Sequence, residues 1–352
     1  MKTKLFTMLF LIFVVGTLFG QSPNWLWAKS AGGGRSDFSN DICVDSDGNT
    51  YITGSFGGSS GFGQITFGSI TLTNSDINGQ DLFIVKYDPS GIALWAKNAQ
   101  GPGFGGSNEV GRSIAVDTYG NVYVTGYFDG QSISIGGIVF NNKGVNTRDC
   151  FIAKFNSFGN ILWAKTIGGY SDEEGRSICT DINGNVFVTG YFISPTITLG
   201  NITISNVGNN SPDIFYVKYN SSGNEVWAYG AGGTQEQNSC ISVDANGNSY
   251  LAMTYFYNAN QGVDIGIAQY DPLGNLLYVK SAGGTVYDYV NDISTDANGN
   301  SYITGNFNSS SITFGNFTLS ENNGSIFIVK YDVQGNVVWA KNHGGGRRHY
   351  FF

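Results

Sequence analysis

Apolar side chains recur along this chain in short runs separated by polar turns, which is the pattern of an antiparallel β-protein. Each of five isoleucines precedes a tyrosine or phenylalanine by nine residues: Ile42, Ile114, Ile178, Ile241 and Ile293. Between each pair stands an Asp with a Gly three residues later, which is typical of a type I turn closed by a residue with positive φ. The pattern therefore predicts an antiparallel hairpin of strands a and b in every copy.

A second pair of apolar runs follows each hairpin. Strand c begins at a polar residue and reaches an Asp or Asn seven residues later; the starting residues are Asp81, Asp149, Asp213, Asp264 and Ser325. A Gly-containing turn then leads, after another seven residues, to an aromatic residue in strand d. The run Phe83–Val85 is apolar on both faces, as expected for a strand covered on both sides. The pattern predicts a second hairpin of strands c and d.

The aromatic residue of strand d marks a repeat. It recurs at spacings of 68, 68, 64, 51 and 61 residues: Trp27, Trp95, Trp163, Trp227, Tyr278 and Trp339. A four-stranded sheet that is apolar on both faces must be covered by neighbouring sheets, and blades stacked around an axis provide this cover. A β-sandwich could also bury such strands but gives no reason for a strict repeat. The expected fold is all-β, a β-propeller of five four-stranded blades, either complete or truncated from a larger propeller.

The repeat divides the chain as follows. A signal peptide is expected at residues 1–20 and propeller repeats at 21–343, with blades at approximately 30–97, 98–165, 166–229, 230–280 and 281–341. The chain opens on a lone d-type strand from Trp25 to Lys29, which is surplus because the fifth repeat has its own strand d. Residues 344–352 form an irregular tail that starts an incomplete sixth repeat.

The motifs resemble a known repeat. The pattern Ile-x-x-Asp-x-x-Gly-Asn-x-Tyr-x-Thr-Gly-x-Phe, followed by Asp-x-Phe-x-x-Lys-Tyr-Asp, is similar to the bacterial β-propeller repeat abbreviated SBBP. It covers residues 24–343 and is best kept at 114–128 with 149–163, and at 293–307 with 326–339. The fourth repeat departs from it at Met253, Gln269 and Tyr278. The resemblance implies exported or surface proteins with scaffold or binding roles, and it implies no reaction.

Composition and charge narrow the function. The chain has 352 residues, 51 glycines, 12% charged residues and a formal net charge of −8, so nucleic acid is not an expected partner. Lys2 and Lys4 precede an apolar run to Phe19, the layout of a secretory signal peptide. The run is too short to span a bilayer, and no transmembrane segment is expected in the mature chain. The expected location is secreted or cell surface.

The four cysteines are predicted to stay reduced. Cys43 and Cys179 occupy the same position of repeats one and three, whereas Cys150 and Cys240 lie in repeats two and four. Cysteines on separate blades would rarely come within the roughly 7 Å between Cα atoms that a disulfide requires.

The residue types bring three kinds of catalytic or metal site into question. Asp45, Asp47 and Asn49 resemble a calcium loop, but the other repeats keep the same turn with only the first Asp and the Gly-Asn, so a cation is not expected. His343 and His349 are the only histidines, which leaves a Ser-His-Asp site without a base. A glycosidase or lyase would need two carboxyls, and four glutamates are available: Glu109, Glu173, Glu174 and Glu236.

The connections that vary in length lie on one face. The a–b and c–d turns keep their lengths, whereas the b–c connections span 27, 23, 23, 11 and 20 residues, and the d–a connections 14, 15 or 19. Loops on a rigid scaffold are where binding residues usually lie. The candidate ligand-binding residues on this face are Arg35, Phe38, Glu109, Arg112, Glu174, Arg176, Tyr287 and Tyr289. A competing interpretation is that Glu109 with Arg112, and Glu174 with Arg176, only pair with neighbours.

The expected function is a non-enzymatic scaffold or binding module at the cell surface, with an unknown glycan or protein ligand and no cofactor. The alternative is a carbohydrate-active propeller enzyme that uses the rim carboxylates.

Overall fold

The computed structural model describes residues 26–58, 62–101, 106–208, 211–232, 238–258, 262–320 and 324–344. The regular secondary structure of this part of the chain consists of strands, with no helix. The all-β class is therefore confirmed. The predicted signal peptide, Glu236 and most of the predicted tail lie outside the described residues. No helix in the described part is long and apolar enough to cross a membrane.

The strands fall into five groups along the chain. The first group is β1 (Ser36–Val44), β2 (Thr50–Gly57), β3 (Gln64–Phe67), β4 (Ile70–Thr73), β5 (Gln80–Tyr87) and β6 (Ala93–Ala99). The second is β7 (Glu109–Val116), β8 (Val122–Phe128), β9 (Ser132–Ile135), β10 (Ile138–Asn141), β11 (Asp149–Phe155) and β12 (Ile161–Ile167). The third is β13 (Glu173–Thr180), β14 (Val186–Phe192), β15 (Thr196–Leu199), β16 (Ile202–Ser205), β17 (Asp213–Tyr219) and β18 (Glu225–Ala231).

The fourth group is β19 (Ser239–Val243), β20 (Ser249–Asn258), β21 (Gly262–Tyr270) and β22 (Leu276–Ala282). The fifth is β23 (Asp288–Thr295), β24 (Ser301–Phe307), β25 (Ser311–Phe314), β26 (Phe317–Ser320), β27 (Ser325–Tyr331) and β28 (Val337–His343).

Each group forms one four-stranded antiparallel sheet, and the sheets are called sheets 1 to 5 in chain order. In sheet 1 the spatial order is β1-β2-β5-β6, and the other four follow the same a-b-c-d order. The a–b and c–d hairpins are thus confirmed. The b–c connection of groups one, two, three and five contains a two-stranded hairpin, β3–β4 in the first, which was not predicted. Its strands have four residues each, too few for their alternation to stand out from a loop.

The invariant a–b turn is organised by its first residue. The Asp117 carboxylate accepts hydrogen bonds from Tyr119 N (2.9 Å), Asn121 N (2.9 Å), Asn121 Nδ2 (2.8 Å) and Tyr123 OH (2.9 Å). Gly120 has φ +76°, which an L side chain rarely adopts. Asp45 makes the same four contacts, the longest 3.0 Å. The repeated Asp therefore acts as a turn anchor whose oxygens are occupied by protein donors.

The sheets stack through their first strands. β1 contacts β7, β7 contacts β13, β13 contacts β19, and β19 contacts β23. Shared apolar clusters fill the spaces between sheets: Leu82 and Ile84 of sheet 1 pack with Val124 of sheet 2, and Ile265 and Ile267 of sheet 4 pack with sheet 5. The first strands therefore lie at the inner edge of the stack and the fourth strands at the outer edge.

The tryptophans of the fourth strands join consecutive sheets at the outer edge. Trp163 in β12 donates from Nε1 to the carbonyl of Ser221 (3.4 Å), which lies in the c–d turn of sheet 3. Its ring lies 6.4 Å from the ring of Tyr219, and a Cβ on Gly223 would lie 3.0 Å from it. Trp95 contacts the Ser157 carbonyl of sheet 2 in the same way, at 3.0 Å. The tryptophans thus pack between sheets as the repeat predicts.

The predicted lone strand at Trp25–Lys29 is wrong in one respect. The described residues 26–31 form no ladder, and the segment makes a single bridge, Gly32 to Thr66 of β3. The segment forms no ladder because β28 already pairs with β27, so no strand c is left with which the segment could pair. Trp27 nevertheless docks on sheet 1, where its Nε1 donates to the Pro89 carbonyl (3.0 Å).

The four cysteines are free and lie in β1, β11, β13 and β19. Cys150 and Cys240 are buried, whereas Cys43 and Cys179 are half-buried. Burial raises the pKa of the Cys150 thiol, so this side chain behaves as a small apolar residue.

Candidate functional site

A cluster of arginines lies at the inner edge of sheets 2 and 3. The first strands β7 and β13 each contain a β-bulge, between Gly111 and Ser113 and between Gly175 and Ser177. The extra residue is Arg112 in one strand and Arg176 in the other. Bulges redirect side chains and are frequent beside functional sites. The two bulges therefore set these arginines apart from the side chains that pack between the sheets.

Both arginines converge on the carboxylate of Glu174, which is fully buried (0% exposed). Arg112 Nε lies 2.7 Å from Glu174 Oε1, and Arg176 Nε lies 3.3 Å from the same oxygen without hydrogen-bond geometry. A third arginine, Arg148, donates from Nη1 to Oε2 at 3.1 Å. The Tyr191 hydroxyl donates to Oε2 at 3.2 Å. The arrangement, called the guanidinium cluster below, consists of Arg112, Arg148, Arg176 and Glu174.

The guanidinium groups lie over the rings of two tyrosines. Arg148 lies over the ring of Tyr127 with 4.5 Å to the centroid, and Arg112 lies over the same ring at 5.4 Å. Arg176 lies over Tyr191 at 5.3 Å. Both tyrosines are buried, so the cation–π contacts are partly shielded from water. Such contacts contribute more to stability when they are desolvated. Stacking and ion pairing together restrict the directions in which the guanidinium donors can point.

The cluster carries surplus charge and unused donors. Three guanidinium cations face one carboxylate, and a guanidinium has five N–H donors. The arginine side chains are 32%, 37% and 34% exposed. In the described part of the chain, the terminal amino groups of Arg112 and Arg176 make no hydrogen bond to protein. Donors fixed by a buried counter-ion and open to solvent suit an anionic group of a ligand.

The repeat skeleton does not require these residues. The position of Glu174, opposite Tyr191 and two residues before the bulge, holds Phe38, Val110 and Tyr289 in repeats one, two and five. The bulge residue is asparagine in repeats one and five, at Asn40 and Asn291. The same sheets thus form without the cluster, which makes it a local addition to the fold.

Arg148 was not among the predicted site residues. It precedes the first residue of β11, and the corresponding residues of other repeats are uncharged: Gln80, Pro212 and Gly324. This break in the repeat was the available signal. A charge that appears at only one copy of a repeated position marks a place where packing did not dictate the residue.

The remaining predicted site residues are not brought to this cluster. Arg35 directly precedes β1, and Phe38 lies in β1, where it is 53% exposed and lines a groove with Ile52 and Phe83. Tyr287 directly precedes β23 and Tyr289 lies in it, and their rings stack with centroids 6.3 Å apart and planes 7° apart. With Glu109, which lies at the boundary of sheets 1 and 2, the predicted set divides among four places along the stack.

Glu109 is buried at the boundary of sheets 1 and 2 and does not pair with Arg112. In the described part, neither carboxyl oxygen has a hydrogen-bond partner; Ser107 stands beside it but donates its hydroxyl to Asp76 (3.1 Å). Burial, and then the charge of Asp81, raise the pKa of Glu109 well above its usual value. Burial at this boundary therefore disfavours the charged form of the Glu109 carboxyl.

Glu173, another acidic candidate, holds loop backbone, as does Asp149, which was not a candidate. The Glu173 carboxylate accepts from Ser194 N at 3.1 Å, and burial raises its pKa to about 7. Asp149 accepts from Lys143 N at 3.3 Å, and burial raises its pKa to about 6. Both side chains are at most 1% exposed. Carboxyls in these positions cannot touch a substrate without rearrangement of the loops they hold.

Three segments of the chain match the model of a known repeat family. Residues 17–55, 103–131 and 162–191 match the family model of the SBBP beta-propeller repeat. An uncharacterized WD repeat-containing protein of Acanthamoeba polyphaga mimivirus is 26% identical over 397 residues, covering 90% of this chain and 28% of that protein. The regulatory protein FlaEY of Caulobacter vibrioides is 29% identical over 123 residues, covering 33% of this chain and 12% of that protein.

The chain thus spans little more than a quarter of the length of the first of these relatives. Among solved structures, a polysaccharide lyase described as an ulvan lyase bound to a GlcA(1-4)Rha3S saccharide aligns with a TM-score of 0.41 and 10% identity. The alignment covers 85% of this chain and 82% of the lyase.

Proposed function

We propose that this chain, which carries SBBP beta-propeller repeats, is a non-enzymatic, exported binding module whose ligand binds through an anionic group at the guanidinium cluster. The observation that carries the proposal is the convergence of three arginines on one buried carboxylate. A carboxylate, sulfate or phosphate group would accept the unused donors in paired geometry.

The guanidinium cluster is positively charged, whereas the whole chain is negatively charged. The formal net charge is −8, whereas the cluster has three cations and one anion. An acidic surface repels polyanions in general. A single basic spot on such a surface favours a ligand that presents one or two anionic groups at a defined place, such as an acidic glycan or an acidic protein loop.

A binding role suits the carboxyls better than a catalytic one. A glycosidase needs a carboxyl pair in contact with the sugar. Glu173 is buried and holds the Ser194 backbone, and Glu174 is enclosed by guanidinium groups. Glu236, the fourth candidate, lies outside the described residues.

Affinity for three oligosaccharides of equal length tests the proposal: one sulfated, one containing uronates and one neutral. The variant Arg112→Gln/Arg176→Gln keeps the Arg148–Glu174 ion pair and removes two donors to the ligand. A charge-assisted hydrogen bond contributes about 1.5 to 3 kcal/mol, so binding of an acidic probe should weaken at least about tenfold.

The matched control is Lys97→Gln/Lys165→Gln, which removes the same charge from the outer strands β6 and β12. Its affinity for the acidic probes should stay within about twofold, because a surface charge far from the ligand is screened. Equal weakening by both double variants would contradict a defined site. Tight binding of the neutral probe with no effect of Arg112→Gln/Arg176→Gln would place the ligand elsewhere.

Export is proposed from the N-terminal residues alone. Lys2, Lys4 and the apolar run to Phe19 support a signal peptide. N-terminal sequencing of the protein recovered from the medium or periplasm of a bacterial host should begin near residue 21. An intact Met1 on a protein confined to the cytoplasm would contradict export.

A further inference from the structure

An exposed tyrosine lies beside the guanidinium cluster. Tyr170 belongs to the connection between β12 and β13, and its side chain is 82% exposed. Two hydrogen bonds join the end of this connection to the main chain of Arg148: Arg148 N donates to the Asp172 carboxylate at 3.1 Å, and Glu173 N donates to the Arg148 carbonyl at 2.8 Å. Two residues span at most about 7 Å, so the main chain of Tyr170 lies close to that of Arg148.

The segment that carries Tyr170 is fastened to the neighbouring loop. Ser171 N donates to Ser194 Oγ at 2.9 Å, and Ser194 N donates to the Glu173 carboxylate at 3.1 Å. A Cβ at Gly169 would lie only 2.1 Å from Ser194 Oγ, so the segment packs directly against that serine. A tyrosine on a fixed backbone loses little conformational entropy on binding, because its side chain has only two rotatable χ angles. Tyr170 therefore presents its ring to solvent at a defined place.

The repeat does not require an aromatic residue at this position. In repeats one, two and five, the residue three before the strand-a residue that pairs with a phenylalanine is small: Gly34, Gly106 and Thr285. The fifth repeat fastens its segment by the same contact, since Val286 N donates to Ser309 Oγ at 3.1 Å. The connection thus folds with a threonine in place of the aromatic residue, and packing does not explain Tyr170.

An exposed aromatic ring beside a cluster of guanidinium groups offers two different contacts to one ligand. The guanidinium donors suit an anionic group. The face of an aromatic ring carries partial negative charge, so it attracts the C–H groups on the apolar face of a sugar ring. A protein ligand would instead bury its main apolar side chains in a pocket that excludes water, whereas the Tyr170 ring lies on the open surface. The combination favours an acidic glycan over an acidic protein loop.

We infer that the ligand is an acidic glycan that makes two contacts with adjacent sugar units: the anionic group of one unit binds the guanidinium cluster, and the ring of its neighbour stacks on Tyr170. The inference rests on the binding proposed above at the guanidinium cluster and specifies the ligand of that site. Tyr170 recognises a sugar ring and contributes nothing to the recognition of charge. A ligand with the anionic group but without a neighbouring sugar therefore loses only the contact with Tyr170.

The test compares the uronate-containing oligosaccharide with the free uronic acid, which has the anionic group and no neighbouring ring. The variant Tyr170→Thr introduces the residue that the fifth repeat has at this position, and Tyr170→Phe keeps the ring without its hydroxyl. The matched control is Tyr119→Thr, at a tyrosine that is 73% exposed in the a–b turn of sheet 2, at the end of the sheet opposite to the d–a connections. Affinities are measured by NMR titration.

Tyr170→Thr should weaken binding of the oligosaccharide by about fivefold or more, as expected for the loss of one aromatic contact, and should change the affinity for the free uronic acid by less than about twofold. Tyr170→Phe and Tyr119→Thr should keep both affinities within about twofold of the parent. Bound to the parent protein, ring protons of one sugar unit should shift upfield because they lie over an aromatic face. This shift should persist in Tyr170→Phe and vanish in Tyr170→Thr.

Unchanged oligosaccharide binding in Tyr170→Thr, with binding still weakened by Arg112→Gln/Arg176→Gln, would overturn the inference and leave the proposed function standing. Binding that neither variant weakens would overturn both. An equal loss for the two probes in Tyr170→Thr would also overturn the inference, because the substitution would then act through the arginines. The same holds for an acidic peptide that binds more tightly than the oligosaccharide and is weakened by Tyr170→Thr. If Tyr170→Thr fails to fold, the absence of an upfield shift with the parent protein would by itself overturn the inference.

Discussion

The boundary between sheets 1 and 2 and the boundary between sheets 2 and 3 treat a buried glutamate in opposite ways. Glu109 at the first boundary has no hydrogen-bond partner among the described residues, and burial raises its pKa. Glu174 at the second is equally buried but contacts three arginines. At the first boundary burial disfavours the charged form of the carboxyl, whereas at the second three cations surround one carboxylate.

The difference shows which positions of the repeat are not determined by packing. Both boundaries use the same first strands, bulge and turn, so packing alone cannot explain why only one of them gathers guanidinium groups. An interior carboxylate surrounded by cations costs desolvation, and such pairs are poor evidence of a gain in stability. The arrangement is more readily explained by the donors that it presents to solvent.

The largest expected effect comes from leaving Glu174 without cations. In Arg112→Ala/Arg148→Ala/Arg176→Ala the buried carboxylate loses every ion pair, which should lower the free energy of unfolding by about 3 to 5 kcal/mol. Adding Glu174→Gln should restore a large part, because an amide needs no counter-ion. Denaturant unfolding of the two variants measures both values. No recovery on adding Glu174→Gln would mean that the arginines stabilise the sheets by packing rather than by charge.

The arrangement of strands in each sheet could be predicted from the sequence because it is repeated. The nine-residue and seven-residue intervals predicted four strands per repeat and the tryptophan contacts between sheets, since each copy must fit against the next. The hairpin β3–β4 and its counterparts were missed, because four-residue strands resemble loops.

The site was predicted only in part. Arg112, Arg176 and Glu174 were among the predicted residues and lie together in the structure, but Arg148 was not predicted, since it lies in the connection before β11, 26 residues before Glu174 in sequence. Glu109 was expected beside Arg112 by sequence proximity. In a strand, side chains three residues apart point to opposite faces, and Arg112, at the bulge, turns instead toward Glu174 of the next sheet.

The tryptophans at an interior boundary and at the end of the stack give the second comparison. Trp163 docks on sheet 3, and Trp163→Ala should cost about 3 kcal/mol, the lower end for large aromatic truncations because the ring is half-buried. Trp339 contacts Tyr302 of its own sheet, and Trp339→Ala should cost less than half as much. Thermal unfolding of both variants checks this. Equal losses would show that the face of sheet 5 is already covered.

Replacing the buried carboxyl of Glu109, at the boundary of sheets 1 and 2, should stabilise the protein. Since the folded-state pKa of Glu109 is raised, the folded state binds a proton that the unfolded state releases above about pH 4.3, so stability falls as pH rises through that window. Glu109→Gln should therefore gain about 1 kcal/mol near neutral pH, with less gain at pH 4. Denaturant unfolding at pH 4, 6 and 8 gives the trend. A gain that is independent of pH would contradict a protonated Glu109.

The smallest effect is expected at the first a–b turn. Asp45 is saturated by four protein donors, whereas Asp47 contributes only its backbone N–H to that network. Asp47→Ala should change the free energy of unfolding by less than about 0.5 kcal/mol, and millimolar calcium or a chelator should leave the melting temperature unchanged. A calcium-dependent rise in melting temperature that Asp47→Ala abolishes would restore the calcium-loop interpretation.

The most direct test of the central claim is the arginine side-chain NMR spectrum of the ¹⁵N-labelled chain during titration with the sulfated or uronate oligosaccharide. The chain has few arginines, and three of them belong to the guanidinium cluster. Their Nε–H resonances, assigned with Arg→Lys variants, should shift together and saturate at one ligand concentration while that of Arg35 stays in place. Shifts confined to Arg35 or to Arg347 and Arg348, with those of Arg112, Arg148 and Arg176 unchanged, would contradict ligand binding at the cluster.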